Sequence, residues 1–402
     1  MSVRIYAMTH RPFEVPADQT YRPLHVGRKP WCRKYDLNLR KYRGMCTGEA
    51  GLEPAEWNAA AVDFPQLMES GELELLRYPG DDTGDSISMR NCYYSELTGL
   101  YWVWKNVSDV DIVGTCHYRR YLLDSQGYVF STQEVEEILK SYDFITTKTL
   151  QLNYSYYEGF SENHKIYYLD ETAKVIKDCY PEYYELFEKL VHEKHTYFGN
   201  MMICKKPLYD EYMEWLFGIL FELEKRITIE EEDDYHRRIF GFISEFLQYV
   251  WVLKNRLKVY ECKVGMLGEK VEAAELKRKL ASYFEDGDYE SAKNYFMAFR
   301  EKRPDVLMEA SDITGELHLC MQVIVTAGFE QERYGTNLLN RMRGYEELMQ
   351  FCNTLNRYTI GKLHGEKDLE LERWVIENHV TEVAQYVSQA MFENNGQLKV
   401  MK

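Results

Sequence analysis

The sequence predicts an α/β domain built on a layered, largely parallel sheet, followed by an all-helical domain. Three observations carry this. Over residues 1–266 short apolar runs alternate with helix-period segments, the pattern of strands connected by crossover helices. Over residues 267–402 strand signals fade and amphipathic helical periods follow one another. The length, 402 residues, exceeds a typical single domain, and 45% hydrophobic residues are enough to fill two cores.

The first strand is expected over residues 3–8, followed by a long loop carrying Pro12, Pro16, Pro23, His25 and Gly27. A second strand is expected over 73–78, closed by Pro79-Gly80 and an Asp- and Gly-rich turn over 80–85. Ser88 reads as the N-cap of a helix reaching Asn106, with Tyr94, Leu97, Tyr101 and Trp104 on one face. The apolar run 111–116 reads as a strand ending in His117-Tyr118-Arg119-Arg120; a helix over 132–141 and a strand over 142–147 follow. Further on come a strand over 197–204, helices over 207–226 and 235–253, and a closing strand over 257–264. Beyond residue 267, helical periods cover 271–284, 289–300, 305–328 and 345–356. The first two of these form an antiparallel pair across the turn at Gly287.

Composition excludes several classes. A formal charge of −16 argues against nucleic-acid binding. Nine cysteines, odd in number and without a CxxC pair, read as free thiols in a reducing cytoplasm. The start of the chain lacks the charged and apolar regions of a signal peptide, and no apolar run approaches the roughly 18 residues of a membrane span. The 33 tyrosines suit a surface that handles polar ligands, and equally suit helix packing. One local exception to the acidic balance is the basic block formed by Arg22, Arg28, Lys29, Arg33, Lys34, Arg40, Lys41 and Arg43. It reads either as the partner of a diphosphate or an acidic membrane face, or as a solvated loop.

In open α/β sheets, ligands bind beyond the carboxyl ends of the strands, so polar residues placed there weigh most. Arg119 and Arg120 follow an apolar strand, and guanidiniums in that position suit bidentate phosphate binding or a structural ion pair. Asp81, Asp82 and Asp85 offer carboxylates to sugar hydroxyls or a cation, or serve as turn formers. Gly199-Asn200 allows close backbone approach to a ligand. Glu245 lies among Phe242, Phe246 and Leu247, which raises a carboxyl pKa toward general-base work unless Arg237 or Arg238 pairs with it. Asp109-Val110-Asp111 precedes its strand and so falls at the wrong edge for a ligand. No GxSxG elbow, P-loop, GxGxxG or HExxH is present.

Tyr6-Ala-Met-Thr-His10, Tyr21-Arg-Pro-Leu-His25-Val-Gly27, Asp81-Asp-Thr-Gly-Asp85-Ser-Ile-Ser88, Glu96-Leu-Thr-Gly-Leu-Tyr101-Trp-Val-Trp-Lys105-Asn106, Gly114-Thr-Cys-His117-Tyr-Arg-Arg120, Gly199-Asn200-Met and Arg238 with Gly241-Phe-Ile-Ser-Glu245 follow one another along the chain. Taken in that order, they resemble a bacterial capsular and exopolysaccharide glycosyltransferase family long catalogued as a domain of unknown function. The resemblance spans roughly residues 3–265 and implies a GT-A-like, Rossmann-like nucleotide-sugar transferase domain. It implies a nucleotide-sugar donor, a UDP-sugar, and a glycan or lipid-linked glycan acceptor. It also implies a cytoplasmic location, with peripheral association at the inner face of the plasma membrane. Tyr6, Met8, Thr9 and His10 are then expected around the base, Asp81, Asp82 and Lys105 near ribose or sugar, and Arg119 and Arg120 at the diphosphate, with Asn200 a further donor-binding residue. Glu245, Asp85 and His117 are the catalytic candidates. Because the strand ends in His117 rather than Asp-x-Asp, the expected chemistry is metal-independent, with Mn or Mg as the alternative cofactor. Rival readings are a non-catalytic carbohydrate-binding or scaffold protein and a nucleotidyltransferase of related fold.

Overall fold

The computed structural model describes residues 1–34, 71–268, 270–307, 312 and 314–393. The chain divides into two compact units, Met1–Leu267 and Gly268–Lys402.

Among its described residues the first unit holds nine strands: β1 (Val3–Thr9), β2 (Tyr21–His25), β3 (Ile112–His117), β4 (Arg120–Leu123), β5 (Phe144–Thr147), β6 (Leu150–Gln151), β7 (His195–Thr196), β8 (Met202–Lys205) and β9 (Val259–Met266). Seven form one sheet and β6–β7 a separate ribbon. β1 pairs in parallel with β2 and β3, and β5 in parallel with β9. β8 runs antiparallel between β3 and β5, while β4 runs antiparallel to β3 and β9. The sheet is therefore mixed rather than largely parallel. Its pairings close a circuit, from β3 through β8, β5, β9 and β4 back to β3.

Alternation along β1 sorts the core into two faces. Val3, Ile5 and Ala7 join Ile112, Cys116 and Ile145 on one side. Tyr6 and Met8 join Val113, Leu100, Tyr209 and Leu216 on the other, beneath helices Leu97–Asn106 and Lys206–Glu224. Gly99 is what lets the first helix settle on the sheet: a Cβ there would lie 2.4 Å from the Met8 sulfur.

Several expected elements differ. Residues 72–77 form a short 3₁₀ helix, not a strand, because adjacent Leu75 and Leu76 are both buried, whereas a strand sends neighbours to opposite faces. β2 occupies part of the expected loop, with Pro23 tolerated at the sheet edge. The helix expected over 88–106 is a 3₁₀ turn, Ser88–Arg90, a single helical turn, Asn91–Tyr94, and the helix Leu97–Asn106, with a break at Ser95. Ser88 does not cap; its hydroxyl donates to Asp81 at 2.5 Å. Helices Tyr156–Asn163, Tyr167–Cys179 and Pro181–Val191 fill the stretch between β6 and β7, and helix Ile239–Lys254 precedes β9.

Among its described residues the second unit is helical: Val271–Asp286, Tyr289–Lys302, Glu316–Tyr334, Tyr345–Leu363, Leu369–Glu377 and Glu382–Glu393. The antiparallel pair turns at Gly287 (φ +74°) and is capped by Asp288, which accepts from Ser291 N–H at 3.0 Å. The expected helix over 305–328 begins only at Glu316, where the buried Asp312 carboxylate accepts the Leu317 and His318 N–H groups. No helix among the described residues is long and apolar enough to cross a membrane.

Asp81 ties the first unit's loops together. Fully buried, it accepts from Gly27 N–H (2.8 Å), Arg28 N–H (3.1 Å), Ser88 Oγ (2.5 Å) and Thr98 Oγ1 (2.5 Å). Removing it strands two backbone donors in the interior. Asp81→Ala is accordingly expected to cost about 3 kcal/mol or more of stability, measured by urea denaturation.

Candidate functional site

β8 is antiparallel to β3, so the loop entering β8 returns to the edge where β3 ends. That loop makes a turn of two consecutive left-handed residues, Gly199 (φ +97°) and Asn200 (φ +47°). The first conformation belongs to glycine, and the second is among those asparagine tolerates best. This turn breaks the strand expected over 197–204, leaving only Met202–Lys205. Its carbonyls are all taken by side chains. Gly199 O is met by His117 Nε2 at 2.6 Å, Asn200 O by Thr115 Oγ1 at 3.2 Å, and Met201 O by Thr146 Oγ1 at 2.6 Å and Gln248 Nε2 at 3.3 Å.

The turn's donors reach two carboxylates. Gly199 N–H donates to Glu245 Oε1 at 2.9 Å, and Asn200 Nδ2 to Glu96 Oε1 at 2.8 Å. The buried Asn200 amide is fixed in turn by Ser244 Oγ, which donates to its Oδ1 at 3.0 Å, and by Gly241 O, 3.2 Å from its Nδ2. Glu96 stands at the head of helix Leu97–Asn106, next to Ser95, whose φ of +49° is unusual for a residue with a side chain. Arg238 Nε donates to the Ser95 hydroxyl at 2.9 Å.

The two carboxyls titrate apart. Burial, reinforced by the Glu96 charge, pushes Glu245 up to about 8, against the pull of Arg120, the Gly199 N–H and Arg238. Burial also acts on Glu96, but His117, the Asn200 amide and Arg238 outweigh it and hold Glu96 below the usual carboxylate range. Burial and then Arg120 push His117 down to about 4, so its ring is neutral near pH 7. A carbonyl only accepts, so Nε2 carries the ring proton and Nδ1 is left as an acceptor. Arg120 opens β4 directly after the tight turn from β3, and its guanidinium makes no hydrogen bond or ion pair with the described residues. Near neutral pH the cluster thus holds one carboxylate, one carboxylic acid, a neutral imidazole and two guanidiniums.

Of the residues expected from sequence, His117, Arg120, Asn200 and Glu245 come together here. Glu245 is bonded to the turn rather than paired with Arg237, which instead meets Asp234 at 2.7 Å. The others are placed elsewhere. Tyr6, Met8 and Thr9 are buried in or against the sheet, where β1 alternation puts them, and do not line an open face. His10 is exposed, its ring edge-on to Tyr118 at 5.4 Å. Asp81 spends its lone pairs on the four donors above, so it is structural. Asp82 faces the buried Arg28 guanidinium at 3.8 Å. Asp85 accepts from Tyr101 OH at 2.9 Å, and its backbone is bracketed by Asn106. Lys105 lies over the Trp104 ring at 3.4 Å, and Arg119 Nε donates to Leu267 O at 3.1 Å. Asp109 and Asp111 sit at the opposite edge, engaged by Arg4 and Ser2. In the basic block, Arg28 is buried and binds Tyr78 O, while Arg40, Lys41 and Arg43 lie outside the described residues. Among the described residues no group of three His, Cys, Asp or Glu side chains converges to hold a metal ion.

Glu96, Ser95, Arg238 and Ser244 were not singled out as site residues by sequence reasoning. A signal for two of them exists: Arg238, Gly241, Ser244 and Glu245 follow helical spacing and make a polar stripe on an apolar helix. Glu96 and Ser95 carry no such periodicity.

Residues 67–256 match the family described as a domain of unknown function, DUF4422. No curated protein matches the chain. A solved structure, the bifunctional glycosyltransferase WbbM in its apo form, is 25% identical with a TM-score of 0.52, over 67% of this chain and 46% of that chain. This chain therefore spans less than half the length of WbbM. The family match and the structural likeness together support a glycosyltransferase-like family for this mixed α/β chain.

Proposed function

We propose that the chain transfers a sugar from a nucleotide-diphosphate donor, a UDP-sugar, to a hydroxyl of a surface-polysaccharide precursor, within a GT-A-like first unit. The observation that carries this reading is the juxtaposition of two guanidiniums, Arg120 and Arg238, with two carboxyls of opposite protonation, Glu96 and Glu245, around the Gly199-Asn200 turn at the strand-end edge of the sheet. Neighbouring carboxyls whose environments drive their pKa values apart mark acid–base assignments. Arg120 and Arg238 meet the diphosphate, Arg taking phosphate oxygens bidentately. Glu245, once ionised, takes the proton of the acceptor hydroxyl as the acceptor oxygen bonds to the anomeric carbon. The bond from that carbon to the β-phosphate oxygen breaks, and its electron pair stays on the nucleoside diphosphate beside the two guanidiniums. His117 Nδ1 and Glu96 are acceptors that orient hydroxyls. The acceptor is a glycan or lipid-linked glycan, met in the cytoplasm at the inner face of the plasma membrane. In this reading the Arg120 and Arg238 guanidiniums meet the diphosphate charge that a divalent cation would otherwise neutralise, so the transfer is metal-independent.

Incubation with a panel of UDP-sugars, with release of UDP as readout, separates this reading from a scaffold or carbohydrate-binding protein, which leaves donors intact. Glu245→Gln is expected to slow turnover by roughly 10²–10⁴-fold. Wild-type kcat/KM is expected to climb as pH rises through about 8, because only ionised Glu245 accepts the proton, and Glu245→Gln is expected to lose that rise. The same group shapes stability. Its folded pKa lies above its ordinary value of 4.5, so its stabilising contribution is complete below that value and disappears as pH rises through about 8. Thermal melts from pH 5 to 9 are expected to show Glu245→Gln gaining on the wild type toward high pH.

Turnover is expected to survive a chelator, and Arg120→Ala or Arg238→Ala to weaken donor binding by roughly ten- to a hundredfold. Loss of activity in chelator with recovery in manganese overturns the metal-free reading.

A further inference from the structure

A cavity of about 640 Å³ lies outside the cluster just described and is lined by Ile87, Arg90, Tyr101, Phe221, Glu224 and Lys225. We propose that this groove binds a neutral sugar ring of the acceptor glycan. The inference rests on the glycosyl-transfer reading above, which it extends from the donor to the acceptor.

The chemistry of the lining selects the occupant. Ile87 and the rings of Tyr101 and Phe221 make an apolar floor, while Arg90, Glu224 and Lys225 make a polar rim. Arg90 Nη1 lies 2.6 Å from Glu224 Oε2, and Tyr94 OH donates to the same oxygen at 3.1 Å. Glu224 Oε1 accepts no hydrogen bond from the described residues. The rim thus sets guanidinium donors beside a carboxylate acceptor, in a balanced pair. Lys225 is paired with Glu222 at 2.9 Å, so the Arg90–Glu224 pair sets the charge: an anion meets Glu224 and a cation meets Arg90, whereas a neutral polyol donates to one group and accepts from the other. A sugar ring adds an apolar C–H face that suits an aromatic floor.

The groove is also placed for an acceptor. Arg90 precedes the single turn Asn91–Tyr94 and Ser95 follows it, so groove and cluster flank the two ends of one helical turn. At about 1.5 Å per residue, the five steps from Arg90 to Ser95 amount to roughly 7–8 Å along the axis. In this proposal the ring seated in the groove is followed, along that turn, by the ring that presents its hydroxyl at Glu96 and Arg238.

The test uses the full chain and neutral disaccharides (lactose, maltose and cellobiose) in saturation-transfer NMR, with Glu224→Gln, Arg90→Gln and Phe221→Ala as variants. Glu224→Gln and Arg90→Gln alter exposed or half-exposed side chains, so they keep the test alive if Phe221→Ala unfolds. Wild type is expected to receive transfer from at least one disaccharide, and the surface variants to lose most of it. With that sugar as acceptor, the same variants are expected to raise acceptor KM about tenfold or more while leaving UDP-sugar hydrolysis and donor KM unchanged. Absence of saturation transfer from every disaccharide, or variants that bind as the wild type does, overturns the groove. A rise in donor KM in the variants overturns it too, by assigning the cavity to the donor. Binding without any UDP-sugar turnover leaves the groove standing as a sugar site and removes the catalytic reading instead.

Discussion

Everything at the strand-end edge depends on the turn at Gly199-Asn200. Two successive left-handed residues aim one backbone N–H and one side-chain amide at two different carboxylates, and one carbonyl at a histidine. Such a turn is costly in isolation, and it persists because its surroundings over-determine it. Thr115 and Thr146, from the neighbouring strands, and Gln248, from helix Ile239–Lys254, are all buried and all spend hydrogen bonds on it. These polar side chains contribute little net stability through each bond but confine the turn to one geometry, since any other leaves them unpaired in the interior. The Gly199 side-chain position is also closed. A Cβ there would stand 3.1 Å from Met201 Cε and 3.8 Å from Arg120 Nη1, on a backbone that L-residues rarely adopt.

Electrostatics follows from that confinement. Placing Glu96 and Glu245 around one turn, with little water between protein groups, makes it expensive for both to ionise. The surroundings decide which yields: Glu96 has His117, the Asn200 amide and Arg238, and it keeps its charge, while Glu245 holds its proton to about pH 8. With two guanidiniums added, the cluster is locally positive inside a chain of net charge −16. A patch of that sign on an acidic protein draws anions to one place rather than to the surface at large.

How much of this was legible in the sequence depends on the kind of signal. Ile112–His117 was readable because a run of apolar residues ends abruptly in polar ones, and the same boundary pointed to His117 and Arg120. Glu245 was readable because a lone acid on an apolar helix has few fates. The break at Ser95 was not: residues 88–106 have continuous helical periodicity, and the contacts that accompany the division, Ser88 to Asp81 and Arg238 to Ser95, are tertiary. The antiparallel entry of β8 was equally hidden, since strand direction is a matter of topology and not of local composition. That direction is what brings Gly199 and Asn200, remote in sequence, to His117. Residues 72–77 misled because two Leu in succession satisfy an apolar count without satisfying the alternation a strand needs.

The acids of this chain show why residue type alone ranks candidates poorly. Asp81 and Glu245 each look like ligands or bases in the sequence, and Asp109 belongs to a literal Asp-x-Asp. An ionised carboxylate has about four acceptor positions. Asp81 meets four donors and has none left. Asp109 gives both oxygens to the Arg4 fork, at 2.8 and 2.7 Å, on the wrong edge of the sheet. Glu245 meets one donor, through Oε1, and Oε2 accepts no hydrogen bond from the described residues. The same is true of Glu224 in the groove, where Oε2 accepts both hydrogen bonds from the described residues and Oε1 accepts none of them. Burial without saturation raises a carboxyl's pKa and leaves an oxygen for an incoming hydroxyl, whereas saturation fixes a carboxylate as part of the scaffold. Counting the donors that each acid already meets therefore separates Glu245 from Asp81, although desolvation pushes both of them upward.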